Sequence, residues 1–154
     1  MIQRIQSLYF FIAFALMVAM MFFPFVTIAP MDSPETTAEI SFRGFTTDEA
    51  WNWTGTTWQV PLMAIVIALL SVGNIFLFTN RTLQVKVCIF NMILMVGWYI
   101  LLALEVWIIS GEMACYRHFG IVTVFPLVCI VLTWLGMRGV LKDDALVKSM
   151  DRLR

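Results

Sequence analysis

Four apolar runs dominate this chain, and each is long enough to cross a lipid bilayer. A spanning helix needs about 20 apolar residues, because each residue rises about 1.5 Å and the hydrocarbon core is about 30 Å thick. Residues 8–29, from Leu8 to Ala29, carry no charge. The run 60–78 is interrupted only by Ser71 and Asn74, 87–109 holds Asn91 and Glu105, and 119–141 holds Thr123, Thr133 and, near its end, Arg138. Apolar residues go all the way round each run, so none reads as the amphipathic helix of a soluble domain. The composition agrees: 61% of the 154 residues are apolar, and the charged share of 13% is about half that of a soluble domain. The expected fold is all-α, a single membrane domain over 1–154 built as an antiparallel four-helix transmembrane bundle.

The connections differ in character. Residues 79–86 and 110–118 are short enough to make spans two, three and four antiparallel neighbours. The long outer loop, 30–59, opens with Pro30 and Pro34, and its Trp51, Trp53 and Trp58 suit an aromatic belt at headgroup level. Within it, the alternation of Ile40 and Phe42 followed by Arg43-Gly44 points to a short hairpin. The tail, 142–154, reads as a short cytoplasmic C-terminal helix with Leu146, Met150 and Leu153 on one face, and Asp144 and Lys148 are spaced for an i,i+4 pair. Two roles compete for it: anchoring on the anionic inner leaflet, which is the simpler expectation, and docking a cytoplasmic partner.

Orientation follows from Lys and Arg, which concentrate in cytoplasmic segments. Arg4, Arg81, Lys86, Arg138, Lys142, Lys148, Arg152 and Arg154 fall on one side, and only Arg43 and Arg117 on the other. Both termini are therefore expected in the cytoplasm, with the protein multi-pass in a cytoplasmic (inner) membrane. A cleaved signal peptide is the competing reading of the first run. Its apolar length exceeds a typical h-region of about 7 to 15 residues, and cleavage after Ala29 would leave Pro30 beside the cut, so a retained helix is expected.

The opening segment 1–9 (MIQRIQSLY), the turn 80–86 (NRTLQVK) and the closing segment 142–154 (KDDALVKSMDRLR) resemble the bacterial family called domain of unknown function 4293. The resemblance covers the whole chain. It implies a small four-span membrane protein and brings no activity, substrate or catalytic residue with it.

An ionisable residue inside a span is costly enough to be a functional candidate. Glu105 is the only acid inside one. At 100° per residue, Asn91, Met95, Trp98, Leu102 and Glu105 share one stripe of span three, which should face the interior. Thr123 is expected at the depth of Glu105, Arg117 and His118 lie one to two turns above, and Pro126 cannot donate to the carbonyl of Val122. Glu105, Thr123, Arg117 and His118 thus make a candidate binding site near the outer face. The plainer reading is an interfacial acid in a structural cluster. Asn74 and Asn91, at equal depth on spans two and three, are expected to bond across the interface as a structural pair. Ala64, Ala68 and Ser71 form a small-residue face, and Gly136 and Gly139 are read as loosening the end of span four.

Several chemistries are excluded. Cys88, Cys115 and Cys129 are too scattered for a disulfide framework or a zinc site, and with His118 the only histidine, no metal site or histidine triad is expected. No phosphate loop, dinucleotide fingerprint or nucleophile elbow occurs, no cofactor is implied, and no basic stripe suggests nucleic acid. The leading expectation is a non-enzymatic protein with a scaffolding, assembly or regulatory role, having the lipid bilayer as its medium and a protein partner at the cytoplasmic tail. The alternative is a small transporter or carrier using the polar site around Glu105. Four short spans enclose little volume, so that alternative calls for a homo-oligomer. An enzyme acting at the outer face through Glu105 and His118 ranks third.

Overall fold

The computed structural model of the protein describes residues 2–31, 37–47, 57–77, 80–110 and 115–151. The elements, in chain order, are α1 (Ile2–Met20), β1 (Val26–Pro30), β2 (Ala38–Ser41), β3 (Gly44–Thr47), α2 (Gln59–Phe76), α3 (Arg81–Ser110), β4 (Cys115–Phe119), a one-turn 3-10 helix (Ile121–Val124) and α4 (Phe125–Asp151). Among the described residues three stretches are long and apolar enough to cross a membrane, Gln59–Phe76, Arg81–Ser110 and Ile121–Ala145, and α1 adds a shorter apolar stretch, Ile5–Met20. α1 packs on α2 and α4, and α3 packs on the same two helices, so every helix has two neighbours in a closed ring. The α2–α3 turn marks one end of this ring, hereafter the turn end. The strands gather at the other, the sheet end.

The interior is filled by large side chains. Trp98, Phe10, Phe25, Met17, Met20, Met95 and Ile67 are all fully buried. The stripe read from the sequence is the buried face of α3: Asn91, Met95 and Trp98 are each 0% exposed, Leu102 2% and Glu105 9%. Three contacts hold Trp98 in place. Its Nε1 donates to the carbonyl of Val60 at 3.2 Å, and Phe25 and Tyr99 stand edge-on to it at 5.5 and 5.3 Å. Ala64, Ala68 and Ser71 are buried as expected, giving α2 a small-residue face against its neighbours.

Gly136 and Gly139 do not loosen α4; they let it approach α1. A Cβ on Gly136 would lie 2.8 Å from the Phe10 ring, and one on Gly139 would lie 2.9 Å from Cγ of Gln6. Lower down the same seam Gln6 donates to the Asp143 carboxylate at 2.8 Å. The tail is corrected too: α4 runs unbroken from Phe125 to Asp151, with no separate C-terminal helix. After Gly139 that stretch contains neither Gly nor Pro, so nothing in it stops a helix. Arg138 stacks on Trp134 one turn back, 4.6 Å from the ring centroid, which accommodates its charge near the end of the apolar stretch.

The first apolar run is also corrected. It is not helical to Ala29: α1 stops at Met20, and residues 26–30 are a strand. Pro24 has no N–H to donate and biases Phe23 away from helical geometry, and Val26, Thr27 and Ile28 are β-branched. The expected hairpin is present, with Ser41 paired to Gly44 across Phe42 and Arg43, and Gly44 at φ +99°, where side chains are disfavoured. The segment 110–118, read as a plain turn, contains β4. The result is a four-stranded antiparallel sheet in the order β3-β2-β1-β4. Its buried face, Val26, Ile28, Ala38 and Ile40, covers the sheet end of the helices. Trp58, at the head of α2, is 57% exposed as an interfacial aromatic would be, whereas Trp51 and Trp53 lie outside the described residues.

Candidate functional site

At the sheet end, Glu105 lies on the buried stripe of α3, one turn short of Ile109 and Ser110. Among the described residues no hydrogen bond or ion pair holds its carboxyl. An ionised carboxylate taken wholly out of water without donors costs several kcal/mol, and its residual 9% exposure is what lessens that cost.

Thr123 is engaged elsewhere. Its Oγ1 donates to the carbonyl of Phe25 at 2.8 Å, and the same carbonyl accepts the Gly120 N–H at 2.9 Å. The Thr123 carbonyl accepts the Tyr99 hydroxyl at 2.7 Å, whose oxygen in turn accepts the Leu127 N–H at 3.0 Å. Thr123 thus clasps the corner after α1 to the start of α4 and to α3. The Val122 carbonyl is not left free by Pro126, because the chain closes a tighter turn and the Phe125 N–H takes it.

Arg117 and His118 sit on β4, both exposed. Arg117 pairs with Ile28 and His118 with Thr27. Directly paired residues share a face of the sheet. Arg117 is therefore on the side of buried Ile28, while His118 is on the far side with Thr27 and its other partner, Glu39. The strand divides these two residues rather than converging them. Of the four, Glu105 alone is a buried group with no partner among the described residues.

A second polar cluster lies between α2 and α3 toward the turn end. Asn91 donates from Nδ2 to Ser71 Oγ at 3.0 Å, and Ser71 donates onward to the Ile67 carbonyl at 2.9 Å. The expected Asn74–Asn91 bond is thus replaced by a bond to the hydroxyl one turn away on the same helix face. Equal depth fixes level but not azimuth. Gln84 Nε2 donates to the main-chain oxygen of Asn74 at 3.0 Å. Asn74 itself is 0% exposed, and among the described residues its Nδ2 and Oδ1 lack a partner, as does Asn91 Oδ1. Each such group costs about 1–3 kcal/mol if it stays unmatched. Gln84 was missed by the sequence reading although the signal was present, since it sits two turns before Asn91 on the same face.

The family model described as domain of unknown function (DUF4293) matches residues 2–153. The chain belongs to this family. No curated protein and no solved structure matches it.

Among the described residues, cavities open at both ends of this DUF4293 protein. One, about 590 Å³, sits at the sheet end between the close of α1 and the β2–β3 hairpin, with Phe22, Pro24, Phe42 and Arg43 in its walls. The other, about 610 Å³, lies at the turn end among Asn80, Arg81, Thr82, Lys86 and Asp144. Among the described residues no group of three or more His, Cys, Asp or Glu side chains is placed to hold a metal ion, and Cys88, Cys115 and Cys129 are free thiols.

Proposed function

We propose that this DUF4293 member is a non-enzymatic scaffold or assembly factor of a bacterial inner membrane. It crosses four times as a helical bundle, with both termini in the cytoplasm and the sheet end outside. The carrying observation is the filled interior: Trp98, Phe10, Met17, Met95 and Ile67 occupy the space between the helices, so the protein acts through its surfaces. The division of Lys and Arg supports the orientation. The unbroken course of α4 supports a docking role for the tail. At about 1.5 Å per residue its 27 residues span about 40 Å, roughly 10 Å more than the hydrocarbon. The excess projects as a rigid post, tied at its base by the Gln6–Asp143 bond.

The test is a cross-linked pull-down from native membranes with the full chain and with a chain ending at Leu141. A defined partner recovered stoichiometrically by the full chain alone supports the reading. Equal recovery with both chains refutes it.

A second reading rests on Glu105, a buried acid without a partner among the described residues. Here the protein is a carrier subunit completed as a homo-oligomer and built on Glu105, since Thr123 is engaged with Phe25 and β4 turns Arg117 and His118 to opposite faces of the sheet. Glu105→Gln then leaves a folded protein that fails to complement a deletion strain. Full complementation by that variant removes this reading.

A further inference from the structure

We infer that the α2–α3 interface binds a file of water molecules leading from the turn end past Asn74 to Asn91. Arg81, Gln84, Cys88 and Asn91 follow one another along a single side of α3, and Ser71 and Asn74 face them from α2. Along this line lie four buried side-chain atoms without a partner among the described residues: Arg81 Nη1, Asn74 Nδ2, Asn74 Oδ1 and Asn91 Oδ1. Asn74 and Asn91 are each 0% exposed, so lipid headgroups and bulk solvent do not reach them. Asn91 lies ten residues beyond Arg81, or about 15 Å along the axis. The apolar run begins at residue 87, so Asn91 lies about 6 Å inside its edge.

The chemistry of these atoms selects the ligand. A cation would satisfy the two amide oxygens but leave the Asn74 N–H groups and the Arg81 guanidinium facing it, and the line carries no carboxylate. An anion would meet Arg81 and the Asn74 N–H groups but also two carbonyl oxygens. Only a small neutral molecule that both donates and accepts matches all four atoms, and water does so with the two to four polar partners an internal water requires. The cavity among Asn80, Arg81, Thr82, Lys86 and Asp144 opens at the turn end of this line, where Arg81 stands. Gln84, bonded to the Asn74 carbonyl, stands at the next turn.

The experiment is water-edited solid-state NMR on the full-length protein in phospholipid vesicles. It compares the rate at which water magnetisation reaches the side-chain amides of Asn74 and Asn91 with two internal references. Asn80 is exposed at the turn, and the Trp98 indole N–H is fully buried and bonded to Val60. Transfer to Asn74 and Asn91 close to the Asn80 rate, and several-fold above the Trp98 rate, is the expected result. Transfer no faster than to Trp98 overturns the inference, and so does a direct Asn74–Asn91 through-space contact that uses up both orphaned oxygens. Asn74→Leu adds a second reading: the Asn91 signal loses its fast transfer if the water file is real. The wild-type measurement stands on its own should that variant fail to fold.

Discussion

Substituting alanine at Gly120 tests how the sheet is fastened to the helices. The backbone there is extended, φ −65° and ψ 149°, which any residue adopts, so the effect is one of space alone. A Cβ would fall 2.6 Å from the Pro24 carbonyl oxygen and 3.3 Å from that of Phe25. Restoring an ordinary contact of 3.4 Å requires an opening of about 0.8 Å, the difference from 2.6 Å, against main chain that cannot swing aside. The same displacement stretches the 2.9 Å bond from the Gly120 N–H to the Phe25 carbonyl beyond bonding range and weakens the 2.8 Å bond from Thr123. Two bonds of about 0.5–1.5 kcal/mol each give a loss of roughly 1–3 kcal/mol. Thr123→Val removes only one of them and should cost about 1 kcal/mol. Because both changes act on one carbonyl, the double variant should fall short of their sum. Denaturant titration in mixed micelles measures the losses, and hydrogen exchange at Ile28 and Ala29 reports where they are felt. Gly120→Ala with stability and β1 exchange like wild type would refute the clasp.

Other outcomes follow from the packing. Ser71→Ala and Asn91→Leu in a double-mutant cycle should couple by about 0.6 to 2 kcal/mol, and additivity would remove the Ser71–Asn91 bond. Gly136→Ala drives a methyl group into a Phe10 ring that is 1% exposed, and should lower stability by about 1–3 kcal/mol. A cross-link between α1 and α4 that forms equally fast in that variant would show that the seam tolerates the volume. Cys115, on the edge strand, should react with a membrane-impermeant thiol reagent added to intact cells while buried Cys88 does not. Labelling of Cys115 only after permeabilisation would reverse the proposed orientation.

Much of the fold is legible in the sequence wherever periodicity carries it. The interior stripe from Asn91 to Glu105 and the Ser41–Gly44 hairpin come from side-chain spacing, which folding preserves. The end of the first apolar run was illegible because hydropathy does not separate an interior strand with one face packed on the helices from a helix facing lipid; Val26 and Ile28 serve the former. β4 stayed hidden because an edge strand bearing Tyr116, Arg117 and His118 has no buried face to impose alternation. At the candidate site, helical spacing turned Glu105 inward, whereas depth arithmetic gave Thr123 a level and no azimuth. It therefore missed that Thr123 is spent on Phe25, and that neighbouring strand positions put Arg117 and His118 on opposite faces. Gly136 and Gly139 were misread because glycine signals looseness and close approach alike, and only the presence of Phe10 and Gln6 distinguishes the two.

The pairing of β1 with β4 bears on how the chain matures. Pro30 meets Cys115 and Val26 meets Phe119, so strands that are synthesised far apart become neighbours. While the ribosome is still making α3, β1 has one partner in β2, and its other row of main-chain donors and acceptors stays open. Closure of that edge waits until both middle helices have been made and the strand preceding α4 has emerged. Long-range pairing of this kind is slow and leaves an exposed intermediate. The newborn protein therefore passes through a stage with three helices in place and a half-built sheet, when a chaperone, a protease or a second nascent copy competes with β4 for the same edge.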